Sequence, residues 1–115
     1  MTHSLLPSAR ALELIMDELG EHASARQAWV LLRVAAAGHT GIEQGEIVRA
    51  IGTASATRIT QSLSTVGWRR DEHGYRCTGA GLIESHADHQ DLRRRRLTLT
   101  AAGRRLVELL ETTAE

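Results

Sequence analysis

Two short amphipathic helices separated by one glycine, with a switch of apolar period soon after them, constrain this chain more than any other feature. Ile47, Val48 and Ile51 recur at helical spacing and Gly52 then interrupts the pattern. The next helix is expected to begin near Ser55, a good cap residue, and to run to about Val66, with Ile59, Leu63 and Val66 as one thin apolar stripe. Its opposite face carries Ala56, Thr57, Arg58, Thr60, Gln61 and Ser64, short side chains that permit close approach to another surface. Further on, Leu97 and Leu99 alternate with Arg96 and Thr98, the period of a strand with one buried and one solvated face. Tandem helices across a tight turn, then a basic hairpin, make a winged helix-turn-helix, a mainly α fold with a small β-hairpin wing.

The rest of the chain supplies the support. Ser8–Leu19 places Leu12, Ile15, Met16 and Leu19 on one stripe, ended by Gly20. Ser24 is placed to cap a second helix reaching about Ala37; Ala28, Trp29, Leu31, Leu32 and Ala35 make it apolar on most sides and therefore central. The third helix starts between Gly41 and Gln44, where Thr40 and Glu43 have capping-box spacing. Trp68–Thr78 reads as a hairpin around a Gly-containing turn, and Leu82–His86 and Arg94–Leu99 as two strands flanking the polar loop Ala87–Arg93. Thr100 caps a last helix to about Thr112, with Leu106, Val107, Leu109 and Leu110 as its stripe. At 115 residues this is one domain of about five helices spanning residues 1–115, in which the terminal helices 5–19 and 101–112 are expected to serve dimerisation.

Charge distribution says more than net charge, which is zero. Residues 49–105 hold eleven arginines against five acids, while the flanking segments are acidic. A basic middle of this kind is the electrostatic footprint of a nucleic-acid binder. All fourteen basic residues are arginine, whose rigid fork suits phosphates and guanine edges. A recognition helix offers side chains to base edges in the major groove, and a basic hairpin reaches phosphates or the minor groove. The candidate DNA-contacting residues are therefore Ser55, Thr57, Arg58, Thr60 and Gln61 on the helix, Arg69 and Arg70 in the first hairpin, and Arg93, Arg94, Arg95 and Arg96 in the wing. In a strand, successive members of such a run point in alternate directions, so about half can face DNA together.

At these residues the sequence resembles the MarR family of bacterial transcription regulators. The resemblance rests on Gly81-Leu82-Ile83-Glu84-Ser85, then Asp88, Asp91 and Arg93, then Leu97-Thr98-Leu99-Thr100 with Ala101-Ala102-Gly103-Arg104 following. Thr57-Arg58-Ile59, Leu63 and Gly67 fit the family's recognition helix, and Glu46-Ile47-Val48 with Ile51-Gly52 the helix before it. The match spans roughly residues 27–110. It implies that Arg93 is a wing-tip arginine for the minor groove and that Asp91 orients it. It also implies that Thr57, Arg58, Thr60 and Gln61 face the major groove, and that a homodimer represses by occluding a promoter at a palindromic duplex site. Three departures stand out. Residues 68–80, with Arg69, Arg70 and Arg76, are inserted before the wing; Ser85 stands where the family often has arginine; and the sequence ends soon after its fifth helix.

Other classes find little support. There is no nucleophile elbow, no phosphate-binding glycine loop and no evident carboxylate pair, so an enzyme is not expected. His73, Cys77, His86 and His89 have zinc-compatible atoms but no common ligand spacing, and neither a metal nor another cofactor is expected. A single cysteine and the lack of a long apolar run point to a reducing cytoplasm with no membrane partner. Nothing in the sequence names a small-molecule effector. The competing reading is a winged helix used for protein interaction, as an anti-repressor or as an accessory subunit of a mobile-element complex.

Overall fold

The computed structural model describes residues 6–20, 23–64, 68–71, 74–77 and 79–114. Five helices and five strands follow in order: α1 (Leu6–Leu19), α2 (Ala25–Ala36), a 3₁₀ turn at Gly38–Thr40, β1 (Ile42–Glu43), α3 (Gln44–Ile51), α4 (Thr53–Leu63), β2 (Trp68–Asp71), β3 (Gly74–Cys77), β4 (Ile83–Ala87), β5 (Arg95–Leu99) and α5 (Ala101–Ala114). The winged helix-turn-helix expected from the sequence is present, with α3 and α4 as the tandem pair and β4–β5 as the wing.

Local chemistry fixes most boundaries. Ser24 and Gln27 form a reciprocal capping box at α2: the Gln27 N–H donates to Ser24 Oγ at 3.2 Å and the Ser24 N–H to Gln27 Oε1 at 2.8 Å. The box expected at Thr40 and Glu43 does not form. Ile42 and Glu43 instead make a short strand paired antiparallel with Leu97 and Arg96, and Thr40 Oγ1 donates to the Ala37 carbonyl. Gly41, at φ 77°, lets the two strands close, since a Cβ there would run into the Leu97 carbonyl. The three-stranded sheet therefore has the order β1-β5-β4. The inserted segment forms its own two-stranded antiparallel sheet, with Trp68 opposite Cys77 and Arg69 opposite Arg76.

The core joins Val30, Leu31 and Val34 of α2 to Ile47 of α3, Ala56 and Leu63 of α4, Ile83 and Leu97 of the sheet, and Leu106 and Leu110 of α5. Two expectations about faces are corrected here. α4 ends at Leu63, and its buried residues are Ala56, Thr60 and Leu63, while Ile59 is only partly covered. Ala56 and Thr60, expected on the open polar face, point inward because a short side chain lets α4 sit close against its neighbours. Ser64, expected beside them, is buried too, and its backbone bridges to Ile83. The apolar stripes of the other helices are in turn only partly covered: Leu12, Met16, Trp29, Leu32 and Leu109 remain exposed.

Candidate nucleic-acid interface

The wing is built around two aspartates. Asp88 Oδ1 accepts from the Gln90 N–H at 2.9 Å, and Asp91 Oδ1 from the Arg93 N–H at 3.1 Å. These local turns curl the chain between β4 and β5 without glycine, because a short carboxylate bonds backbone two residues on. The loop is closed by the Asp88 N–H on the Arg94 carbonyl and the Arg94 N–H on the Asp91 carbonyl. Both carboxyls are held below the ordinary carboxylate range. For Asp91 the main cause is the side-chain bond from Arg93, followed by the Arg93 backbone N–H; for Asp88 it is the Gln90 N–H, with the Arg96 guanidinium adding to it.

The four consecutive arginines have four different environments. Arg93 meets Asp91 fork to fork, Nε to Oδ1 at 3.2 Å and Nη2 to Oδ2 at 3.4 Å, yet its side chain is 90% exposed. Such a pair fixes direction without sheltering the guanidinium. Arg94 spans Glu43 at 3.6 Å and Asp91 at 3.5 Å, tying the wing to β1. Arg95 donates to Ser85 Oγ at 3.0 Å and to the Ser85 carbonyl at 2.8 Å across the hairpin. Serine at position 85 thus provides an acceptor for an arginine of the facing strand. Arg96 turns back toward the body, where it meets Asp88 Oδ2 at 3.3 Å and donates to the carbonyls of Thr40 and Gly41 at 3.2 and 3.1 Å. Arg96, one of the candidate DNA contacts, is thus committed to Asp88 and two carbonyls and braces the wing against the segment before β1.

On α4, Thr57 and Arg58 are exposed and Gln61 is half-buried. Ser55 is half-buried as well and accepts from Arg26 Nη1 at 3.3 Å. Thr60 does not stand on this surface. It is buried, and its Oγ1 has no hydrogen-bond partner among the described residues. The outward surface of α4 is consequently Thr53, Ala54, Thr57 and Arg58, with Gln61 at its margin. Arg69 and Arg70 lie on β2, the first directly opposite Arg76. Arg26 was not singled out by sequence reasoning. The signal available was its place at the start of a helix lacking any acid in its first turn. Among the described residues no three His, Cys, Asp or Glu side chains gather to hold a metal. No helix there is long and apolar enough to cross a membrane.

Helix-turn-helix, three-stranded sheet and braced wing define a winged-helix fold. Solved structures place it more narrowly, as the fold of MarR-type regulators. MepR of S. aureus, in a complex with DNA, superposes on 92% of this chain and 74% of its own at a TM-score of 0.64, with 20% sequence identity. MarR covers 95% of this chain and 69% of its own at a TM-score of 0.55, with 23% identity. A probable transcriptional regulator from Pseudomonas aeruginosa reaches 26% identity over 94% of this chain and 71% of its own, at a TM-score of 0.54. No protein-family model and no curated protein matches the sequence.

Proposed function

We propose that this chain is a sequence-specific duplex-DNA-binding transcriptional regulator that acts as a homodimeric repressor by occluding its promoter. The observation that carries the reading is Arg93, projecting from the wing loop and aimed by Asp91, in the same fold as the outward face of α4. An aimed, exposed guanidinium suits the negative potential of a narrow minor groove. Thr57 and Arg58, exposed on the outer face of α4, suit base edges in the major groove. The likeness to MepR, solved on DNA, supports the same use here. A palindromic operator follows from two-fold symmetry, for which α1 and α5 provide the material: they pack together and leave Leu12 and Met16 more than half exposed.

Fluorescence anisotropy tests the reading, with duplex from upstream of the chain's own gene and a scrambled duplex at about 50 and 200 mM salt. Tight, salt-sensitive binding that prefers the native sequence is expected. Arg93→Ala is expected to weaken both duplexes alike and to reduce the salt slope by about one. Absence of binding to either duplex at the lower salt would overturn the reading in favour of a winged helix that docks on protein.

A further inference from the structure

We infer that the cleft between the start of α2 and the outer turns of α4 is a seat for one backbone phosphate of duplex DNA, with Arg26 as its principal donor. This rests on the DNA-binding reading above and assigns it a contact outside the recognition helix and the wing. The cleft measures about 330 Å³ and is lined by the α2 cap Ser24, by Arg26 and Gln27 of α2, and by Ser55, Arg58, Ile59 and Ser62 of α4. Two of these seven are arginines, and neither has a carboxylate partner among the described residues. Five other arginines do meet carboxylates: Arg10 with Glu13, Arg33 with Glu46, and Arg93, Arg94 and Arg96 with Asp91, Glu43 and Asp88. What sets Arg26 and Arg58 apart is that two cations with no carboxylate partner among the described residues line one cleft.

The floor of the cleft is fixed. Gln27 Nε2 donates to Ser62 Oγ at 3.1 Å, and Ser62 Oγ donates onward to the Ile59 carbonyl at 2.7 Å. Its rim is held but not saturated. Arg26 Nη1 donates to Ser55 Oγ at 3.3 Å, which leaves the Ser55 proton and most of the Arg26 donors available. A pre-positioned guanidinium beside a hydroxyl is a donor set for a tetrahedral oxyanion. Placing a cation in the first turn of α2 also works against the helix dipole, a cost that an arriving anion relieves. The geometry names the anion's source. Arg58 lines the cleft and also stands on the outward surface of α4, so a duplex read by α4 carries its backbone past this rim. A phosphate contact there sets register on the duplex and carries no sequence information.

The test compares the wild type, Arg26→Ala and Ser55→Ala by anisotropy across a salt series, on the preferred and the scrambled duplex. It then repeats the preferred duplex with single phosphates replaced by neutral methylphosphonates. Arg26→Ala is expected to weaken both duplexes by the same factor, about three- to tenfold, and to lower the salt slope by about one. Ser55→Ala acts in the same direction by less. At one backbone position the wild type loses affinity on neutralisation and Arg26→Ala loses nothing further. Thermal unfolding checks that both exposed-rim variants fold. If the wild type binds with a steep salt slope and Arg26→Ala matches it in affinity and slope, the seat is refuted while DNA binding stands. If the wild type binds neither duplex, the DNA reading itself has failed and the seat with it.

Discussion

The two halves of the proposed interface are built on opposite plans. In the wing, a single run of arginines is braced: Arg94, Arg95 and Arg96 are committed to Glu43, Asp91, Ser85, Asp88 and two backbone carbonyls, and the projecting Arg93 is steered by Asp91. On α4, the outward residues Thr57 and Arg58 have no such braces among the described residues. The wing has its conformational entropy removed before any partner arrives, so little is lost on binding. The helix keeps its outward side chains free and is held by its inner face, with Ala56 and Leu63 fully buried in the core. A hairpin of few residues needs polar bracing to stand away from the body, whereas a helix docked on a core does not.

The sharpest way to break this comparison is Arg96→Ala. Three bonds from one guanidinium are lost, two of them to backbone carbonyls, while Asp88 keeps the Gln90 N–H, so a destabilisation of about 2–3 kcal/mol is expected. Differential scanning calorimetry should show it as a clear fall in Tm, with no comparable fall for Arg93→Ala. Equal effects at the two positions would mean that the run is not divided into brace and probe. Next comes Arg58→Ala, expected to cost about 1–3 kcal/mol on the preferred duplex and less on the scrambled one, with Tm unchanged. Titration of both duplexes separates this loss of discrimination from the uniform loss predicted for Arg93→Ala.

A smaller effect is expected from pH. Asp88 and Asp91 have folded pKa values below their unfolded ones. Their contribution is therefore present above the unfolded carboxylate value and is lost as pH falls through the lowered folded values. Wing stability should be flat from neutral pH down to about pH 5 and decline only below about pH 4. Amide resonances of the wing loop, followed by NMR against those of α4, would reveal the opposite order if the wing loosened earlier. The smallest effect belongs to Thr60→Val. A buried hydroxyl without a partner among the described residues is exchanged for a methyl of similar shape, so stability should hold or rise by up to about 1 kcal/mol with DNA affinity unchanged. A large loss of affinity would return Thr60 to the reading surface.

How much of this was legible in the sequence depended on the kind of signal. The helices with period-3.6 leucines and isoleucines, the Ser24 cap, the wing strands and the extra hairpin are present close to where their patterns put them, because hydropathy and turn chemistry are local. α4 differs, starting at Thr53 after Gly52 and not at a Ser55 cap, and ending at Leu63, with Val66 outside the described residues. β1 was not legible: two residues carry no period, and their strand character comes from pairing with β5, more than fifty residues away. The face of α4 was misjudged at Ala56 and Thr60 for a related reason. Hydropathy hardly distinguishes a small residue facing solvent from one chosen for close helix contact, and only the neighbours decide. The arginine run could be read as basic and alternating, but two of the three acceptors that hold Arg96 are carbonyls, which have no letter in the sequence.

Thr100 joins two parts that were described separately. Its hydroxyl donates to the Gly81 carbonyl at 2.6 Å and accepts the Gly103 N–H at 3.1 Å, while its own N–H reaches the Leu82 carbonyl at 3.0 Å. A Cβ at Gly103 would strike that same Leu82 carbonyl. In mechanical terms the wing and the last helix turn on a single bearing with no play in it. An added methyl at residue 103 must shift α5 and the root of the wing against each other.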